Sequence, residues 1–262
     1  MLWEELTAPE FRKAVRRVRG VCVVPIGVIE KHGEHLPLGT DLYEGRHVAI
    51  EAAQREQAIV FPPYYFGQIH EARHQPGAVA VAGRVLMDLL FEVCAEISRN
   101  GMKKIVLLNA HGGNNDFLGF FAQLALEKER DYSLYMPALG GRMSEADRKL
   151  FKDKYDGHAG EGETSMMLVI RPNLVRLGDD IPAHGRPKRG LGHLAGATNG
   201  FWWYSLHPDH YAGTASLGTP AKGRVMIDSW VRYVVRVIKA VKRDSVVPRL
   251  AREFHRRSRK PA

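Results

Sequence analysis

The sequence predicts an α/β fold, a three-layer sandwich in which a mostly parallel central sheet is covered by helices on both faces. Three observations predict it. Short apolar runs such as Val21-Cys-Val-Val-Pro-Ile26 and Lys104-Ile-Val-Leu-Leu-Asn109 alternate with longer segments of helical periodicity. The run over 104–109 is too continuously apolar to keep one face wet, as expected of a strand buried on both sides. The 262 residues, 45% apolar and 26% charged, suit one hydrophobic core at the upper end of the usual size. One domain is therefore expected over residues 1–248, followed by a basic tail over 249–262.

The elements follow in order. Thr7 to Arg19 reads as a short amphipathic opening, and residues 21–26 as a buried strand. A loop rich in Gly, His and Pro runs to Thr40, and a helix is expected from about Leu42 to Gln57. Ala58 to Phe61 is a second strand, stopped by Pro62-Pro63. The long loop from Tyr64 to Ala82 suggests a functional segment. Gly83 to Asn100 carries Leu86, Leu89, Leu90, Val93 and Ile97 at helical spacing and ends at Asn100-Gly101, a C-terminal stop signal. After the strand at 104–109 come a helix over Phe117–Lys128, a strand over Tyr132–Met136 and a helix over Glu163–Ile170. Residues 172–222 read as irregular, and Arg224–Lys242 as a closing amphipathic helix.

Composition narrows the function. No apolar run approaches the roughly 20 residues that span a bilayer. The opening Met-Leu-Trp-Glu-Glu lacks a basic, apolar leader pattern, so a cytoplasmic location is expected. Cys22 and Cys94 both sit in apolar patterns and lack CxxC spacing, which reads as buried free thiols. The net charge of +9 raises nucleic-acid binding. Much of the excess lies in Arg249, Arg252, Arg256, Arg257, Arg259 and Lys260, however, and a tail of this kind reads as solvated or docked on a partner subunit.

Chemistry concentrates in three segments. Glu30-Lys-His-Gly-Glu-His-Leu-Pro-Leu-Gly-Thr-Asp41 follows the first strand, and Asn109-Ala-His-Gly-Gly-Asn114 follows the strand at 104–109. In an open parallel sheet, groups beyond the carboxyl ends of neighbouring strands converge on one crevice. Glu30, His32, Asp41 and His111 can therefore meet, and two imidazoles with two carboxylates suit Zn, Mn or Fe. The third segment, His158-Ala-Gly-Glu-Gly-Glu-Thr-Ser165, can bring Glu161 or Glu163 to the same crevice, with His158 beside the reacting atoms. Taken singly, each residue fits an ordinary loop; the inference rests on their joint placement. Two divalent ions against three carboxylates leave one positive charge, which a bridging hydroxide would cancel. That hydroxide would be the nucleophile and His158 the proton shuttle.

Together these segments resemble the signature motifs of the creatininase (creatinine amidohydrolase-like) family. His74-Gln-Pro-Gly77 resembles the family's His-Phe-Pro-Gly loop, with Gln75 in place of the aromatic residue. The resemblance covers roughly residues 15–170. It implies an α/β fold, two divalent metal ions per chain and hydrolysis of C–N bonds in small cyclic or formylated amides. It also implies self-association, often as hexamers. Carried over by motif, one ion takes Glu30, Asp41 and His111, and the other takes His32, the bridging Asp41 and a further carboxylate. One departure matters: creatininase proper draws that carboxylate from two residues after the histidine, and here the position is Gly113. Glu161 is expected to restore it, joining His158 in the catalytic set, while Glu163 is expected to support the site from behind. His35, His74, Asn114, Trp202, Trp203 and Tyr204 are further expected in supporting or substrate-contacting roles.

Phe201-Trp-Trp-Tyr204 and His207-Pro-Asp-His210-Tyr211 offer an aromatic wall with polar hooks, or equally a packing cluster or subunit contact. The expected function is metal-dependent hydrolysis of a small cyclic amide, formamide or related metabolite. The alternatives are a ring-opening C–C hydrolase of an oxidised inositol on the same site, or a non-catalytic metal- or nucleic-acid-binding protein.

Overall fold

In the computed structural model, which describes residues 1–139, 143–178 and 181–260, β1 (Val21–Ile26), β2 (Ile59–Val60), β3 (Lys104–Asn109) and β4 (Ser133–Tyr135) form one sheet. All the pairings are parallel, in the order β2-β1-β3-β4. β1 and β3, the two strands followed by metal-type motifs, are neighbours, with Ile26 opposite Asn109 at their carboxyl ends.

Side chains alternate between the sheet's faces because the strand repeat is two residues. Cys22, Val24, Ile26, Ile105 and Leu107 face one layer, formed by α1 (Ala8–Arg17), α3 (Gly83–Arg99) and α4 (Asn114–Leu124). Val21, Val23, Val106 and Leu108 face the other, formed by α2 (Thr40–Arg55), α6 (Glu161–Ile170) and α8 (Pro220–Arg243). Both faces are dry, which is why β1 and β3 read as unbroken apolar runs. Cys22 and Cys94 are both free and buried.

Helix ends account for most boundary differences. α1 opens with a Thr7–Glu10 capping box. α8 starts at Pro220 rather than at residue 224, because the Thr219 side chain accepts a hydrogen bond from Lys222 N–H and Pro suits the first turn. α2, α4 and α6 start two or three residues before their apolar periodicity, at Thr40, Asn114 and Glu161, so polar site residues occupy their first turns. The remaining α-helices among the described residues are α5 (Glu145–Arg148), α7 (Trp202–Leu206), inside the segment expected to be irregular, and α9 (Val246–Ser258). α9 contains most of the expected basic tail, so the boundary drawn at 248 falls within a helix. None of its residues is buried. Among the described residues no helix is long and apolar enough to cross a membrane.

Candidate metal centre

The turn after β1 places the first ligands. At Gly27 a Cβ would stand 2.8 Å from the Asp41 Cβ and 2.9 Å from the Leu42 nitrogen, so only glycine lets the start of α2 lie against the end of β1. Glu30 N–H donates to Leu38 O at 3.0 Å, closing the intervening loop on itself. Glu30, His32 and Asp41 are all buried, and His111 enters beside them from the turn after β3.

Three triplets of candidate ligand atoms result among the described residues, Glu30–His32–His158, Glu30–Asp41–His111 and His32–Asp41–Glu163, and Asp41 belongs to the last two. His111 Nδ1 lies 2.8 Å from Glu30 Oε1 and 3.1 Å from Asp41 Oδ2. His32 Nε2 lies 3.2 Å from Asp41 Oδ1 and 3.8 Å from Glu163 Oε2. The two oxygens of one carboxylate thus serve two separate imidazoles. Glu30 Oε1 and Asp41 Oδ2 are buried acceptors that, although His111 Nδ1 lies near both, make no well-aligned hydrogen bond, a costly arrangement for protein alone. Divalent ions fit this donor set of three carboxylates and two imidazoles.

The expectation for Glu161 requires correction. Its carboxylate points away from the cluster: Oε2 accepts from Lys152 and Asp153 N–H, both at 2.8 Å, and Oε1 pairs with Lys222. Positions two apart on an α-helix lie about 200° apart around its axis, so when Glu161 faces the 152–153 loop and α8, Glu163 faces His32. Glu163, the other glutamate that could reach the crevice and the one read as support, is the carboxylate that the fold brings into the cluster.

His158 is buried between His32 and His210, at ring-centroid distances of 4.3 Å and 4.4 Å. Its Nε2–H donates to Lys31 O at 2.8 Å, which leaves Nδ1 as the unprotonated nitrogen. Backbone bonds in both directions between His158 and Ala212 pin it to the 210–213 segment. His210, singled out only as a polar hook, is part of the site. Its Nδ1 accepts the Trp203 indole N–H at 2.9 Å, so its proton sits on Nε2 and is given to Glu30 Oε2. The hint in the sequence is the Trp203–His207–His210 spacing, which alone does not say that the segment folds back over residue 30.

Electrostatics among these side chains are dominated by burial and mutual charge. Burial disfavours a charged His32, but Asp41, Glu163 and Glu30 outweigh it and lift its pKa to about 10. For His158 burial wins, and the positive His32 adds to it, holding the pKa down to about 3. Burial pushes Glu163 up to about 7 against the pull of His32. Burial also opposes ionisation of Glu30 and Asp41, but His111 and their other histidine neighbours keep both carboxylates charged.

The other expected residues sit further out. His35 is buried, with Nε2 2.9 Å from the Thr164 hydroxyl, and ties the first loop to α6. Asn114 Oδ1 accepts Gln68 N–H at 2.8 Å at the start of α4. Trp203 packs against His158, whereas Trp202 and Tyr204 are exposed. His74 is exposed, bonds Pro208 O at 2.8 Å and touches the Tyr204 ring, so it stands at the outer mouth and not at the ligand cluster. A chamber of about 250 Å³ lies over the ligands, bounded by His158, Trp202, Trp203 and His210. A wider one of about 1130 Å³ adjoins it through Glu71, Gly112, Gly113 and Trp202, and is walled by Phe117, Phe120 and Tyr204.

Comparison with known proteins places this geometry. The creatininase (creatinine amidohydrolase) family model matches residues 4–238. The creatinine amidohydrolase of Pseudomonas putida is 28% identical over 189 residues, covering 66% of this chain and 73% of the relative. The 3-dehydro-scyllo-inosose hydrolase of Thermotoga maritima is 24% identical, over 91% of this chain and 83% of its own length. A solved creatininase variant in a zinc–zinc form superposes with a TM-score of 0.77 at 23% identity, over 93% of this chain and 98% of that one. With a family match over nearly the whole chain and the same fold, this protein belongs to the creatininase family of hydrolases.

Proposed function

We propose that the chain is a two-metal hydrolase that cleaves a C–N bond in a small cyclic amide or formamide. One ion would be held by Glu30, Asp41 and His111, and the other by His32, Asp41 and Glu163. The observation that carries this reading is the division of Asp41, with Oδ1 at His32 and Oδ2 at His111. The zinc–zinc form of a creatininase with the same fold supports the count of two. Such ions polarise a carbonyl and lower the pKa of water from about 15.7 towards 7, which at 1.36 kcal/mol per unit is roughly 12 kcal/mol. A general base contributes less, about 10²- to 10⁴-fold.

The protein's own residues supply the rest. Neutral His158, with Nδ1 unprotonated, would take the proton of the attacking water and return it to the leaving nitrogen. His210 holds Glu30 in place through its Nε2–H. Trp202 and Trp203 wall the inner chamber, which at about 250 Å³ admits a small reacting head and little bulk water. The wider outer chamber, lined by Phe117, Phe120, Phe201 and Tyr204, accommodates whatever the head is attached to.

A second reading is ring-opening hydrolysis of an oxidised inositol, favoured by the inosose hydrolase relative that aligns over 91% of this chain. In that case the same water attacks a ketone carbonyl and His158 protonates the departing carbon. A panel of lactams, formamides and inositol ketones, assayed with zinc or manganese, separates the two. Turnover of an amide with release of amine or formate is expected; turnover confined to the ketones overturns the amide reading.

A further inference from the structure

Gly113, where creatininase proper has its last carboxylate, has a second consequence. His111 presents Nδ1 to Glu30 and Asp41, and its Nε2 is buried without a hydrogen-bond partner. A neutral imidazole that gives one nitrogen to a metal carries its proton on the other, and a buried N–H needs an acceptor. A candidate comes from the long loop after β2. A Cβ built on Gly113 would stand 2.5 Å from Glu71 Oε1 and 2.5 Å from His111 Nε2, so the two atoms flank one small gap.

The loop is anchored for this. Gln68 Nε2 donates to Glu71 Oε2 at 2.9 Å, and Gln68 N–H donates to Asn114 Oδ1 at 2.8 Å. Gly67 packs on the same Asn114, since a Cβ there would lie 2.5 Å from Asn114 Oδ1. Asn114 begins α4, directly after the turn that carries His111, so the loop is bonded to the segment that carries the ligand.

We propose that Glu71 is a positioning residue, accepting the His111 Nε2–H through Oε1, and that residue 113 is glycine because any side chain would stand between them. This rests on the dinuclear reading above. A carboxylate behind a ligating histidine fixes its tautomer and raises its basicity, and loss of such a partner typically weakens metal binding 10- to 100-fold.

The test is zinc titration of the chelator-stripped, full-length protein against a competing chromophoric chelator. Glu71→Ala is expected to weaken one of two ions by roughly 10- to 100-fold and leave the other unchanged. Glu71→Gln, which keeps an uncharged acceptor, should fall between Glu71→Ala and wild type, and Gly113→Ala should lose affinity as Glu71→Ala does. The metal-free unfolding midpoints of Glu71→Ala and Glu71→Gln should match wild type, separating positioning from folding. Binding constants for Glu71→Ala and Glu71→Gln within about twofold of wild type, while His111→Ala loses an ion, overturn this inference alone. Unchanged ion content in His111→Ala overturns the assignment of His111 as a metal ligand in the reading above, and this inference with it.

Discussion

Asp41 and Glu163 define the site at the scale of single residues, and Glu161 shows how finely the helix sets direction. Both glutamates lie in the first turn of α6, yet one is locked to Lys222 and the other faces His32. Their neutral variants should therefore diverge. Glu161→Gln strips the partner from a mostly buried lysine and should cost about 3 kcal/mol of stability with both ions retained. Glu163→Gln should keep its fold and lose affinity for the ion at His32. Urea unfolding with metal analysis reads both, and an ion lost from Glu161→Gln with full binding in Glu163→Gln would reverse the assignment.

At the scale of elements, β1, β3 and the motifs beyond them were legible because both signals are local: unbroken apolar runs for strands buried on two faces, and polar clusters directly after them. What escaped depends on angle and distance. Whether Glu161 or Glu163 enters the cluster turns on where α6 starts, and the helix opens at Glu161, before its apolar periodicity. His210 reaches Glu30 across 180 positions, through the short helix α7 in a segment without regular patterning. His74, adjacent to a motif-like Pro-Gly, reads as a site residue but bonds Pro208 O at the mouth. The continuous helix α9 was likewise hidden, since its basic residues read as a tail.

At the scale of the whole molecule, the site concentrates buried charge that metal ions would relieve, so folding stability is tied to pH and metal. His35, which is not itself a ligand although His32 lies close to it, gives one measure. Burial, with the positive His32 nearby, pushes its pKa from 6.5 down to about 4. Above pH 6.5 neither state protonates it, and its contribution is flat. Between pH 6.5 and 4 only the unfolded chain takes up the proton, so stability falls as pH falls. In chelated protein, His35→Gln should flatten the stability profile across this window, whatever its absolute stability; an unchanged slope would place the acid sensitivity elsewhere. Added zinc or manganese should raise the unfolding midpoint by mass action.

The most direct test is metal content per chain in wild type and Asp41→Asn after stripping and reconstitution with zinc. The division of Asp41 between His32 and His111 predicts two ions in the wild type and at most one, weakly held, in the variant. A single ion in the wild type, or two held with unchanged affinity in Asp41→Asn, would contradict the account.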